Sequence, residues 1–234
     1  PLMPGIKHGV FNDIKGLENL ISEKTAAVII EPVQGEAGVY SATQEFMDKL
    51  RSLTSIHGAL LIIDEVQSGV GRMGSLYGYM HYEIEPDILT SAKGLGGGMP
   101  IGATLTTRSI GEGMQPGTHG STFGGNPMAC AVADTVLTAV SDKEFLDEVL
   151  RKEKLFVKLL NELNEEKNVF SAIRSEGLWI GCDLINEESS KVIDRCYDNG
   201  LILVSAGSNC LRLAPALNIN DDDIKEGIEI LKQV

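Results

Sequence analysis

Two short stretches hold the residues best suited to covalent chemistry. In LLIIDEVQSGVGR, residues 60–72, four aliphatic side chains run straight into Asp64 and Glu65, followed by Val66 and Gln67. So apolar a run reads as a buried strand of a parallel sheet, leaving the polar cluster at its carboxyl end, where open α/β sheets collect ligands. An arbitrary Asp-Glu pair is most often a solvated strand end. The second stretch, SAKGLGGGMPIGA, changes the odds: Lys93 follows the strand-like DILTSA and is flanked by glycines that permit close backbone approach. A lone lysine normally lies on a polar surface, but this one sits between a strand and a glycine hinge. A strand-end carboxylate and a strand-end amine ask for a cofactor between them, and pyridoxal phosphate needs that combination. Its aldehyde is held by a lysine amine as a Schiff base, and its ring nitrogen stays protonated when a buried carboxylate favours the pyridinium. Asp64 suits the second task and Lys93 the first. Gln67 is placed to donate to the phenolic oxygen of the ring, and Val66 to pack on a ring face.

The elements that must position these residues alternate regularly. TAAVIIEP reads as a strand stopped by Pro32, and TQEFMDKLRSLTSIHG as a helix with Thr43 as N-cap and Gly58 as its stop, carrying Phe46, Leu50, Leu53 and His57 on one face. The strands ALLIIDEV, DILTSA and IGATLTT follow, then the glycine-rich GTHGSTFGGNP and a helix opened by Pro127 that runs through MACAVADTVLTAVSD. Strands alternating with helices predict a mainly parallel sheet in an α/β fold. An amphipathic helix from about Lys143 to Lys167 leads into short strands (GLWIGCDL, LILVSA, CLRLAP) and the helices SSKVIDRCYDNG and DDDIKEGIEILKQV, the texture of a smaller α+β domain. The expected division is 1–143 and 144–234, with the boundary inside the long helix. The opening PLMPGIKHGVFND reads as a loop leading to a strand with no earlier element to start a doubly wound sheet, so an amino-terminal part is expected to be missing.

Composition narrows the function classes. The 234 residues carry 20 basic and 33 acidic side chains, a net charge of −13, which repels phosphate backbones and anionic lipid surfaces and disfavours nucleic acid and membrane as partners. The apolar runs are strand-sized and the first residues lack the plan of a signal peptide, so a cytoplasmic enzyme is expected. Cys130, Cys182, Cys196 and Cys210 lie far apart without a CxxC pair, signalling neither zinc nor disulfide, and are expected to be buried reduced thiols. His8 and His57 read as surface or helix-end residues, His119 as loop support and Trp179 as core packing.

Taken in order, EPVQGEAGV, LLIIDEVQSGVGRMG, YGYMHYEIEPDILTSAKGLGGGMPIGA, GTHGSTFGGNPMACAVA and LRLAPALNI resemble the subgroup III (ω-amino acid) aminotransferases of PLP fold type I, most of all their acetylornithine/succinylornithine branch. The resemblance spans nearly the whole chain. It implies a large PLP-binding domain, here only its carboxyl-terminal part, followed by the small domain. It makes Lys93 the Schiff-base lysine and proton shuttle, pairs Asp64 with the pyridinium nitrogen, and groups Glu65, Val66 and Gln67 with it as cofactor contacts. It assigns Thr122 to the cofactor phosphate of the neighbouring subunit, hence a homodimer with shared active sites, and Ser121 to substrate. Arg212 would grip the α-carboxylate of glutamate and 2-oxoglutarate, and Glu36 would neutralise it when an ω-amino substrate binds.

The activity implied is transfer of the δ-amino group of N2-acetylornithine, or a related N-acyl diamino acid, to 2-oxoglutarate, in arginine biosynthesis. Succinylornithine, succinyl-diaminopimelate and ornithine are the alternative donors. A glutamate-semialdehyde type of aminomutase is a second chemistry, which Arg212 argues against, and a non-catalytic half-chain or assembly partner is the reading from a different class. The family's amino-terminal half, with its phosphate loop, ring-stacking aromatic and a further substrate arginine, has no counterpart in these residues. The isolated chain is therefore expected to bind PLP weakly and to show little activity.

Overall fold

The computed structural model describes residues 3–234. In chain order the elements are α1 (Ile14–Leu20), β1 (Ala27–Ile30), β2 (Val33–Gln34), β3 (Tyr40–Ser41), α2 (Gln44–His57), β4 (Leu60–Asp64), β5 (Ile88–Ser91), β6 (Ala103–Thr106), α3 (Arg108–Gly111), α4 (Pro127–Val140), α5 (Lys143–Lys167), β7 (Phe170–Ser175), β8 (Ile180–Leu184), α6 (Ser189–Asp198), β9 (Val204–Ala206), β10 (Cys210–Leu213) and α7 (Asp221–Gln233). They form two compact units. The first comprises the residues up to Pro32, Ala42–Gln67 and Gly78–Asp134; the second comprises Val33–Ser41, Ser68–Tyr77 and Thr135–Val234. Two short stretches from the first third of the chain thus group with its carboxyl-terminal part.

The first unit is built on a sheet of order β1-β4-β5-β6. β1, β4 and β5 are parallel, with Ala27 opposite Leu60 and Asp64 opposite Thr90, whereas β6 runs antiparallel to β5. The sheet is therefore parallel at its centre and mixed at one edge. A short glycine-rich link after β5 returns the chain directly alongside, which leaves no room for the crossover helix that a parallel neighbour needs. α2 forms as its sequence dictates: the Thr43 side chain accepts from the Phe46 N–H, and Gly58 ends the helix in the left-handed conformation. Its inner face, Phe46, Met47, Leu50 and Leu53, packs with Leu61 and Ile63 of β4 and with Leu17 and Ile21 of the α1 region. α1 itself went unseen in the sequence, since the Asp13 side chain that caps it, accepting from Gly16, lies in a stretch that reads as loop.

The second unit holds an antiparallel sheet of order β7-β8-β10-β9 and the short ribbon β2-β3. β7 is a further strand, in the stretch between the long helix and GLWIGCDL to which the sequence reading gave no element. Helix α5 buries Val149, Phe156, Leu160 and Leu163 against the sheet and against Ile224, Ile228 and Leu231 of α7. Trp179 is buried with Val33, Val39 and Met73, as its core assignment requires. Cys182, Cys196 and Cys210 are buried free thiols, but Cys130 is exposed: it faces outward on α4, so burial of all four thiols is corrected. Burial pushes the Cys182 and Cys196 thiols up and the Cys210 thiol up to about 11. Among the described residues no cluster of His, Cys, Asp or Glu is arranged to hold a metal ion, and no helix is long and apolar enough to cross a membrane.

Candidate active site

Parallel pairing brings the first chemical pair to one edge of the sheet. β4 ends at Asp64, β5 ends at Ser91, and Asp64 stands opposite Thr90 in register. Lys93 follows Ser91 across one intervening residue, so the carboxylate and the amine emerge at the carboxyl ends of adjacent strands. The half-buried Asp64 receives two hydrogen bonds on a single oxygen: Thr90 Oγ1 donates to Oδ1 at 3.1 Å and the Val66 N–H donates to the same oxygen at 3.0 Å. These donors orient the carboxylate, and Oδ2 is left to meet a cation. Lys93 opens a short 3-10 turn (Lys93–Gly96) with φ of 47°, a left-handed conformation uncommon for a residue with a side chain. It is exposed and, among the described residues, takes part in no ion pair. An oriented carboxylate with a vacant oxygen and an unpaired amine are the two groups that a protonated pyridine ring with an aldehyde requires, so the residues present fit pyridoxal phosphate.

The neighbours of Asp64 divide. Val66 and Gln67 are half-buried just past the strand end, beside Asp64 as the sequence places them. Glu65 points elsewhere: it is fully buried, and its two oxygens accept the backbone N–H groups of Gly78 (2.9 Å) and Tyr79 (2.6 Å). Alternation along the strand turns successive side chains to opposite faces, which sends Glu65 away from the Asp64 side and into the return of the loop. The structure thus gives Glu65, expected as a cofactor contact, a loop-fastening role. Ser121 and Thr122 lie on an exposed loop ahead of α4, where Ser121 Oγ accepts from the Gly124 N–H at 2.9 Å. Asn126 Oδ1, accepting from Ala129, caps that helix. The structure places neither hydroxyl in contact with Asp64 or Lys93.

The second pair lies within the second unit. Arg212 on β10 donates from Nη1 to Glu36 Oε1 at 2.6 Å. Exposure of the two side chains is unequal, 11% for Arg212 and 74% for Glu36. A buried guanidinium covered by a solvent-facing carboxylate can exchange that cover for the carboxylate of a ligand without being desolvated anew. The same unit holds a second sunken arginine: Arg72 Nη1 donates to the Leu178 and Pro215 carbonyls, both at 2.7 Å, and burial lowers its pKa to about 10. Sequence reasoning passed over Arg72, and it passed over Thr90, the residue that orients Asp64. The available signal for Thr90 was register: two adjacent apolar strands each carry a polar residue close to the same end.

The class-III aminotransferase family model matches residues 6–234. Over 231 residues the chain is 50% identical to the succinylornithine transaminase of Yersinia pestis bv. Antiqua, covering 97% of this chain and 56% of that protein. Among solved structures, the N-acetylornithine aminotransferase of Stenotrophomonas maltophilia superposes with a TM-score of 0.88 at 37% identity, covering 98% of this chain and 63% of that one. The acetylornithine aminotransferase of Elizabethkingia anophelis gives 0.90 at 35% identity, covering 100% and 60%. The chain therefore spans little more than half the length of the curated relative it matches. Its fold is PLP fold type I, and the chain belongs to the class-III aminotransferases.

Proposed function

We propose that the protein is a PLP-dependent transaminase that moves the δ-amino group of an N-acyl ornithine to 2-oxoglutarate. The observation that carries the reading is the register of β4 on β5, which sets an oriented Asp64 and the unpaired Lys93 at adjacent strand ends. When bound, the cofactor supplies an aldehyde that condenses with amines and a protonated ring that withdraws electrons from the reacting carbon. Asp64, oriented by Thr90 and Val66, would present its carboxylate to the ring nitrogen. Val66 and Gln67 hold the ring, and Lys93 carries the amine that anchors the cofactor. Once a substrate amine takes its place, the Lys93 amine would be free to move the proton of the carbon that bears the transferred nitrogen. Thr122 from a second copy would hold the cofactor phosphate and Ser121 would touch substrate, so the working unit is a homodimer.

Glu36 and Arg212 let one pocket take two substrates. With Glu36 on Arg212 the pair is neutral and suits the uncharged arm of an acylated diamino acid; with Glu36 displaced, Arg212 meets the dicarboxylate acceptor bidentately. Acetyl and succinyl donors differ only in the acyl group, and both kinds of transaminase are among the similar proteins. The reaction belongs to cytoplasmic arginine metabolism. Borohydride reduction of the PLP-loaded protein, followed by peptide mass mapping, should place the cofactor on Lys93; modification at any other lysine overturns the assignment. A full-length preparation that stays colourless with added PLP would favour a non-catalytic assembly role.

A further inference from the structure

We propose that Arg174, braced by Asp183, is a positioning residue that holds Glu36 over Arg212 and so tunes the choice between amine donor and dicarboxylate acceptor, an inference that rests on the transaminase reading above. Glu36 rides on the tip of the β2-β3 ribbon, and the tip is strained: Val39, β-branched, has φ of 60°. Such a conformation persists only where the surroundings over-determine it. Here they do so from several sides. Val39 is buried against Val33, Met73 and Trp179. Arg174 on β7 donates from Nε to the Gly38 carbonyl at 2.9 Å, and its guanidinium carbon lies 4.2 Å from the centre of the Tyr40 ring. Asp183 on β8 grips the same guanidinium bidentately, with both bonds at 2.6 Å. Next to it the Gly207 N–H donates to the Glu36 carbonyl at 2.8 Å. The ribbon lies so close to the sheet that a side chain at Gly181 would come within 2.6 Å of the Gly38 carbonyl, and one at Gly207 would collide with the carbonyl of Ala37.

The backbone of Glu36 is therefore pinned at its own carbonyl and two residues on, while its carboxylate stays in solvent. The exchange on Arg212 is then a rotation of one side chain about a fixed base, and the pairing reforms when the dicarboxylate leaves. Arg212 sits on β10, between β8 and β9, so loosening the ribbon leaves the guanidinium in place and weakens only its cover.

The test uses the full-length PLP-loaded enzyme. Arg174→Lys keeps the positive charge but loses the fork and the planar stack; Asp183→Asn loosens the brace from the other side. Each should bind glutarate, a dicarboxylate that cannot be transaminated, about fivefold more tightly by calorimetry, with a raised KM for the N-acyl ornithine. Either substitution added to Glu36→Ala should change glutarate affinity by less than about twofold. A glutarate shift that persists without Glu36, or an equal loss on both substrates, overturns the role of Arg174 and leaves the transaminase reading standing. No change in glutarate affinity in Glu36→Ala alone overturns the Glu36–Arg212 exchange, and this proposal with it.

Discussion

At the scale of single residues, Asp64 and Glu65 are chemically alike neighbours with opposite employment. Asp64 holds two donors on one oxygen and keeps the other available, whereas Glu65 is sealed inside with a backbone N–H on each oxygen. Glu65→Ala would strand both N–H groups and should lower unfolding stability by about 2–4 kcal/mol in urea titrations, with Glu65→Gln recovering part of the loss because one acceptor remains. Lys93 presents the reverse case. Its left-handed backbone is a strain that glycine does not suffer, so Lys93→Gly should raise the unfolding free energy by about 1 kcal/mol in thermal melts while abolishing borohydride-fixed PLP. A thermal midpoint that falls would show that the lysine side chain itself supports the fold. The strand-end placement of Asp64 and Lys93 was legible in the sequence, because a polar residue at the end of an apolar run or before a glycine hinge stands out. The diversion of Glu65 was not, since the partner N–H groups arrive from the far side of a loop.

At the scale of elements, the sequence conveyed helices better than edges and ribbons. α5 runs from Lys143 to Lys167 as its amphipathic period predicts, with Asp142 capping and Asn168 closing in the left-handed conformation. β6 was found as a strand, but its direction is a tertiary matter that no local pattern records. β2 and β3 are two residues each, too short for any period, and what holds them is long-range: Arg174, Gly207 and Val39. The same brace predicts a pH response. The Arg174 guanidinium beside Asp183 holds that carboxyl below its usual range, so the pair contributes stability above the ordinary carboxylate pKa that is lost as pH falls through the depressed one. Fluorescence of Trp179, the only tryptophan and buried beside the ribbon, should report a loss of order as pH falls below about 4, and Asp183→Asn should flatten that dependence. An unchanged acid profile in the variant would remove Asp183 from the account.

At the scale of the whole molecule, the two units carry separate cores, one around Leu50 and Leu61 and one around Leu160 and Leu211. The first unit leaves large apolar side chains in solvent, among them Ile29 on the edge strand β1, Leu105 on the edge strand β6, and Phe123, which is 82% exposed. Exposed apolar groups on edge strands invite association. A preparation of these 234 residues should bind an apolar fluorescent dye and self-associate in light scattering, and Ile29→Lys with Leu105→Lys should reduce both; an unaltered scattering profile would place the sticky surface elsewhere. The second unit, gathered from three stretches of chain, has a different consequence. Glu36 leaves the ribosome 176 residues before Arg212. At roughly 5–20 residues per second its ribbon waits on the order of 10–35 s before the strand that carries Arg212 has been made. During that interval none of the carboxyl-terminal contacts that impose the left-handed Val39 exists, so the conformation of the tip is set only after nearly all of the chain has been made.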